Sequence, residues 1–200
     1  QLEIGISGGE TAIHNNIDGL EISISTSGFI KKSRKNQFKI GDILIGVRSS
    51  GLHCNGFSKI RKLFTEENIE DFIIPANMYS NTVLRLNDKI NGMMHITGGA
   101  FSKLKNEDLL DNSNIEIRRD HLLKPHDIFY EIYEKGVLDY EMYKTFNCGI
   151  GFIISVDKKD KNKCLEEISK SFKCDEVGKV VKGSGKVFIE SNFSNKLLEL

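Results

Sequence analysis

The sequence predicts an α/β (α+β) domain in which a mixed sheet is covered by helices. Three observations carry this. Asp42-Ile43-Leu44-Ile45-Gly46-Val47 is a nearly continuous apolar run of strand length, as expected of a strand covered on both faces. Directly behind it, Phe57, Ile60, Leu63 and Phe64 fall at helical spacing. The same succession of strand and helix then repeats as far as residue 190, which is the pattern of a sheet with helices packed on it.

The elements follow in order. Leu2, Ile4 and Ile6 alternate with polar or small residues, as do Leu20, Ile22 and Ile24, so both stretches read as half-buried strands, joined by a loop that starts at Gly8-Gly9. Lys31 to Gln37 is polar and charged and reads as a solvated connector and a domain boundary. After the strand at 42–47 and the helix from 57, a helix is expected within 79–90 and a strand at 93–97. A helix then begins at Phe101, and Ile115 and Ile117 alternate as a strand. Residues 126–135 and 139–145 read as helices, 150–156 as a buried strand, 160–172 as a helix, and 176–181 and 186–190 as strands.

Composition excludes several function classes. The chain has 200 residues, with 28 Lys plus Arg against 28 Asp plus Glu, so its net charge is zero. That leaves no electrostatic footprint for nucleic acid and no steering toward an anionic membrane. No apolar run approaches the length of a membrane span, and the first residues show no signal peptide. The four cysteines, Cys54, Cys148, Cys164 and Cys174, include no close pair of the kind that holds zinc, and free thiols in a reducing cytoplasm are expected.

Two glycine loops are the chemical candidates. Ser49-Ser50-Gly51-Leu52-His53-Cys54-Asn55-Gly56 lies between a buried strand and an amphipathic helix. Glycine lets backbone approach a ligand, a helix start offers unpaired N–H groups, and two serine hydroxyls add donors, which together suit a phosphate. His53 is placed to donate to an oxyanion or to move a proton. The same residues also fit a tight turn with Asn55 capping the helix. Thr97-Gly98-Gly99 repeats the layout after the next strand. Neither loop is a P-loop, for no Gly-Lys-Ser or Gly-Lys-Thr stands at the required spacing. In Asn147-Cys148-Gly149-Ile150-Gly151 the two glycines share one strand face, which must lie against a backbone or a ligand. His95 is expected to be a hydrogen-bonded core residue, and His14, His121 and His126 to be solvated. No Asp/Glu/His cluster has metal-site spacing.

Taken in order, these stretches resemble the aminoimidazole ribonucleotide (AIR) synthetases, the phosphoribosylformylglycinamidine cyclo-ligases. Gly8-Gly9-Glu10-Thr11-Ala12 is similar to their GGETA motif. Gly41 to Gly46 followed by Ser49 to Ser58 resembles GDVLIG…SSGxHSNGYS, and Arg61-Lys62 the RK that ends the family's helix. Pro75 with Tyr79 resembles PTxIY, and His95 to Phe101 resembles HITGGG. Glu141 to Gly151 is similar to EMYRTFNxGxG, and Val177-Gly178-Lys179-Val180 to the closing IGxI. The matches span residues 8–180. Three departures stand out: Ile13 to Asp18 replace EMPGMY, Cys54 replaces a serine, and Ala100 replaces the third glycine of TGGG.

The resemblance implies that residues 1–35 are the last strands of an amino-terminal ATP-binding domain plus a linker. It implies that residues 36–200 are an AIR synthetase-like carboxy-terminal domain. It implies a ligase of de novo purine biosynthesis that uses ATP and Mg²⁺. ATP phosphorylates a formamide oxygen of a ribonucleotide, an amidine nitrogen attacks, and phosphate leaves as the imidazole closes. The expected site residues are His53 for catalysis, with Ser49, Ser50, Gly51, Asn55, Gly56, Thr97, Gly98, Gly99, Asn147 and Gly149 for substrate and phosphate. Gly8, Gly9, Glu10 and Thr11 are expected on the nucleotide or metal side. The expected partners are the small-molecule ribonucleotide, the amino-terminal domain and a second copy in a homodimer, and these 200 residues alone are expected not to turn over substrate. Another ATP-using member of the superfamily, such as a carbamoyl dehydratase, thiamine-monophosphate kinase or selenophosphate synthetase, is the rival class, as is a non-catalytic dimerisation module.

Overall fold

A computed structural model of the chain describes residues 5–13, 19–29, 33–64, 69 and 72–200. The chain divides into two compact units, Gln1–Arg34 and Lys35–Leu200. In the first, the described residues form neither strand nor helix. Ile6, Leu20, Ile22 and Ile24 are exposed, Ile6 to 94%. The strands expected at 2–7 and 20–30 are therefore not formed within the described residues; residues 2–4 and 30 lie outside them. Alternation marks a face that can be buried, but a strand exists only when a neighbour takes its N–H and C=O groups.

The second unit is a seven-stranded mixed sheet in the order β2-β4-β1-β5-β3-β6-β7. Its strands are β1 Ile43–Arg48, β2 Ile90–His95, β3 Ser113–Ile117, β4 Ile150–Val156, β5 Cys174–Lys182, β6 Val187–Glu190 and β7 Leu197–Glu199. All neighbours are antiparallel except β3 and β6, which are parallel. Among the described residues the α-helices include α1 Phe57–Leu63, α2 Ser80–Arg85, the single turn α3 Glu107–Leu110, α4 Asp127–Glu134, α5 Asp139–Thr145 and α6 Lys161–Ser169.

Each face of the sheet has its own core, because successive strand side chains point to opposite faces. Leu44, Ile153, Val177 and Val180 meet Ile60 of α1, Phe129 and Ile132 of α4, and Met142 of α5. Ile45, Val47, Ile154 and Val156 meet Tyr79, Leu86 and the α6 residues Cys164 and Ile168. In α6 the two buried residues stand at i and i+4, one above the other on the sheet side. Acidic residues open α4 (Asp127) and α5 (Asp139, Glu141), where the positive end of the helix dipole favours them. Among the described residues no helix is long and apolar enough to cross a membrane.

Three expectations shift. The strand expected at 93–97 starts earlier, at Ile90, and contains Gly92. A side chain there would press to 2.9 Å on the Gln37 backbone, so Gly92 marks a close approach inside a strand, not a turn. The connector accordingly does not end in solvent. Asn36 Nδ2 donates to the Met93 carbonyl (3.0 Å), and the Met93 N–H donates to Asn36 Oδ1 (2.7 Å). The Gln37 N–H donates to the Asn91 carbonyl at 3.1 Å, so this segment covers the outer edge of β2. The helix expected from Phe101 is a 3₁₀ helix, Ala100–Lys105.

Candidate functional site

The topology gathers the candidate loops at one end of the sheet. β4 and β5 run antiparallel to β1, β2 runs antiparallel to β4, and β3 runs antiparallel to β5. The chain segments after β1, β2 and β3 and those before β4 and β5 therefore all emerge together.

Hydrogen bonds weld the segments to one another. The Ser49 N–H donates to the Gly149 carbonyl (3.1 Å) and the Ile96 N–H to that of Gly151 (2.9 Å). Asn147 Nδ2 donates to the carbonyls of Gly51 (2.8 Å) and Leu52 (3.2 Å), while its Oδ1 accepts from the Gly149 N–H at 3.0 Å. Thr97 Oγ1 donates to Asn55 Oδ1 at 3.0 Å. Ser50 Oγ donates to the Pro75 carbonyl at 2.7 Å. The structure thus brings together Ser49, Ser50, Gly51, His53, Asn55, Thr97, Asn147 and Gly149. Asn55 does not cap α1: the N-cap is Gly56, with no side-chain cap bond.

Three side-chain atoms in this assembly are buried without a partner: Ser49 Oγ, His53 Nδ1 and Asn55 Nδ2. Buried polar groups are nearly always satisfied, so three orphans in one seven-residue loop need a cause. His53 Nε2 accepts the Ser50 N–H at 3.1 Å, which puts the imidazole proton on Nδ1. Each orphan is thus a hydrogen-bond donor. His53 is held neutral, its pKa lowered to about 4 by burial and then by His95 and His126. It stands at φ +59°, in the left-handed region. Arg48, with its guanidinium pKa lowered by burial, and Lys103 add positive charge at this end. Neutral donors among cations suit an anion with several oxygens.

The remaining expected residues divide. Gly98 and Gly99 are exposed on the rim, and Gly98 has open space where a side chain would stand. Gly56 serves packing, since a side chain there would overlap the Phe146 ring. Gly149 and Gly151 do not share a strand face, for Gly149 lies in the turn before β4 at φ +95°, but both meet protein: a methyl on Gly149 would press on the Lys124 carbonyl at 2.7 Å, and one on Gly151 would overlap Tyr79 Oη. Ala100 keeps a left-handed backbone, φ +42°, although it carries a side chain, which explains why glycine suits this position. Gly8, Gly9, Glu10 and Thr11 belong to the first unit and are exposed there.

Three histidines were misplaced by sequence alone. His95 is exposed at the end of the edge strand β2, 6.0 Å from His53 between ring centroids, stacked on Phe152 and edge-on to Tyr79. His121 is buried, with Nδ1 accepting the Leu123 N–H (3.1 Å) and its pKa lowered to about 4 by desolvation. His126 is half-buried and bonded to Ser49. His14 lies outside the described residues. Tyr79 was also missed as part of the site; its hydroxyl donates to the Arg48 carbonyl at 2.8 Å.

Comparison with known proteins agrees with this architecture. Residues 39–190 match the family described as AIR synthase related protein, C-terminal domain. The chain is 39% identical over 193 residues to a phosphoribosylformylglycinamidine cyclo-ligase of Sulfurisphaera tokodaii, covering 92% of this chain and 59% of that protein. It is 34% identical over 231 aligned positions to the protein of that name from Methanocaldococcus jannaschii, covering 100% of this chain and 65% of that one. The chain thus spans about three fifths of the length of these relatives. Among solved structures, the HypE–HypF complex matches with a TM-score of 0.57 at 17% identity, over 83% of this chain and 54% of that one, a likeness of fold. By the match over 39–190, this chain belongs to the AIR synthase related protein family and carries its C-terminal domain.

Proposed function

We propose that this chain is the carboxy-terminal part of an ATP-dependent phosphoribosylformylglycinamidine cyclo-ligase, a ligase of de novo purine biosynthesis. The reaction converts formylglycinamidine ribonucleotide to aminoimidazole ribonucleotide with release of ADP and phosphate. The curated relatives' name and the ordered motifs support the activity. The observation that carries the site is the trio of unpartnered buried donors, Ser49 Oγ, His53 Nδ1 and Asn55 Nδ2. A phosphate or imidate oxygen satisfies such donors without reorganisation of the protein.

The chemistry asked of this domain is positioning, charge stabilisation and exclusion of water. Ser49 and Asn55, with the rim at Thr97, Gly98 and Gly99, hold the phosphate-bearing ribonucleotide. Neutral His53 presents Nδ1–H to the developing negative charge on the formamide oxygen. His95, exposed beside it, is the group able to exchange protons with solvent. Mg²⁺ is not assigned to this loop, whose three unpartnered groups include no carboxylate. Two of those groups, His53 Nδ1–H and Asn55 Nδ2, can only donate, which does not suit a hard cation. The nucleotide side is assigned instead to Gly8, Gly9, Glu10 and Thr11, with the amino-terminal domain and a second copy as partners. The four cysteines are free, which suits the reducing cytoplasm.

The test is ATP-dependent formation of the imidazole product by this chain joined to the amino-terminal domain of a relative. His53→Ala should slow turnover by about 10²–10⁴-fold, the usual worth of a positioned acid–base or charge-stabilising group. Wild-type turnover in that variant would remove His53 from the chemistry.

A further inference from the structure

His126, at the N-terminus of α4, is not part of any motif described above. Its ring is nevertheless bonded at both nitrogens. Nε2 lies 2.9 Å from the Ser49 carbonyl oxygen, which can only accept, so Nε2 carries the proton and donates. Nδ1 is then the acceptor, and it lies 3.2 Å from Arg48 Nη2. The same guanidinium donates through Nη1 to the Lys124 carbonyl. Arg48 is itself fixed from behind, for its carbonyl accepts from Asn77 Nδ2 (3.0 Å) and Tyr79 Oη (2.8 Å). A continuous path therefore runs from the segment before α4 through Arg48 and His126 to the backbone of Ser49.

Ser49 opens the loop that carries the three unpartnered donors. Its N–H is held by Gly149, and its carbonyl is held by His126. These two bonds fix both peptide planes that flank its side chain. We infer that His126 is a positioning residue: its Arg48–His126–Ser49 bridge orients the donor loop for an anionic oxygen ligand. The inference rests on the reading of this loop as the phosphate site. His126 touches no ligand in this account and acts only through Ser49. The side chain must accept and donate on two atoms joined through one carbon, which Gln can reproduce and Leu cannot.

The experiment uses the 200-residue chain with inorganic phosphate as probe. Calorimetric titration is combined with hydrogen exchange of the backbone amides of residues 50–55, in His126→Leu, His126→Gln and Ser49→Ala. His126→Leu should weaken phosphate binding and speed exchange in the loop, each by about tenfold, the worth of one lost hydrogen bond to a polar group. His126→Gln should restore both to within about threefold of wild type, which a merely space-filling role would not give. If His126→Leu does not fold, His126→Asn carries the test, because its shorter amide leaves the Ser49 carbonyl unpaired. Unchanged binding in the folded Leu or Asn variant, with Ser49→Ala weakened, overturns the inference and leaves the site reading standing. No effect in Ser49→Ala overturns the site reading itself. A Gln variant as weak as Leu overturns the hydrogen-bond role.

Discussion

Gly151 tests the packing that holds the site. It lies in β4, and a methyl group built on it would overlap Tyr79 Oη and stand 2.6 Å from His53 Cε1. Neither neighbour can yield cheaply. Tyr79 is 5% exposed, bonded to the Arg48 carbonyl at 2.8 Å, and packed on the Phe152 and Phe172 rings at 5.3 and 5.2 Å. Inserting a methylene-sized group into such packing costs about 1–3 kcal/mol, and loss of the tyrosine hydrogen bond adds about 0.5–1.5 kcal/mol. Gly151→Ala should therefore destabilise the domain by about 2–4 kcal/mol. For a domain of this size that lowers Tm by about 5–15 °C. Gly98→Ala is the control, because a side chain there meets open space. Its Tm should stay within about 3 °C of wild type. Thermal unfolding followed by circular dichroism reads both. A Gly151→Ala protein melting within about 2 °C of wild type would refute the claim that Tyr79 and His53 are clamped.

Acid should weaken the fold through its buried histidines. His53 and His121 have folded pKa values lowered to about 4, desolvation first, so the unfolded chain binds more protons in the window below its ordinary histidine value of about 6.5. The stability they contribute is present above about pH 6.5 and lost as pH falls toward 4, with a slope of up to about 1.4 kcal/mol per pH unit for each. Denaturant midpoints flat across that window would contradict this. At the other end of β1, buried Asp42 accepts from the Lys39 N–H (3.1 Å), Asn91 Nδ2 (3.1 Å) and Ser155 Oγ. Asp42→Ala strands those donors and should cost about 2–4 kcal/mol in urea denaturation, and a change below about 1 kcal/mol would show that the network carries little stability.

Most of the second unit was legible because its strands and helices differ in period and are buried on the sides their patterns predict. Ile43 to Val47, Phe57 to Leu63 and Ile150 to Val156 are such cases. The stretch from Leu20 to Ile24 has an equally clear period but no pairing partner among the described residues, and pattern alone cannot supply one. The start of β2 at Ile90 was not legible, because the backbone that packs against Gly92 comes from Gln37, 55 positions earlier. Of the site, the loop glycines, hydroxyls and His53 were visible as a motif. The places of His95 and His126 were not, since whether a histidine faces a core, a rim or a carbonyl depends on strand order. Nor could any residue pattern reveal that three donors stay unpaired.

The most direct test of that site is Ser49→Ala, read for stability and for substrate in the complete enzyme. Ser49 Oγ is buried and has no partner, so removing it relieves a desolvation cost of about 1 kcal/mol and should raise Tm by about 2–4 °C. On the proposed function the same change removes a donor to a charged phosphate, worth about 1.5–3 kcal/mol, and should raise KM for the ribonucleotide by about 10–100-fold. A structural serine would show the reverse. The account predicts a more stable protein that binds its substrate worse; a less stable protein with unchanged KM would contradict it.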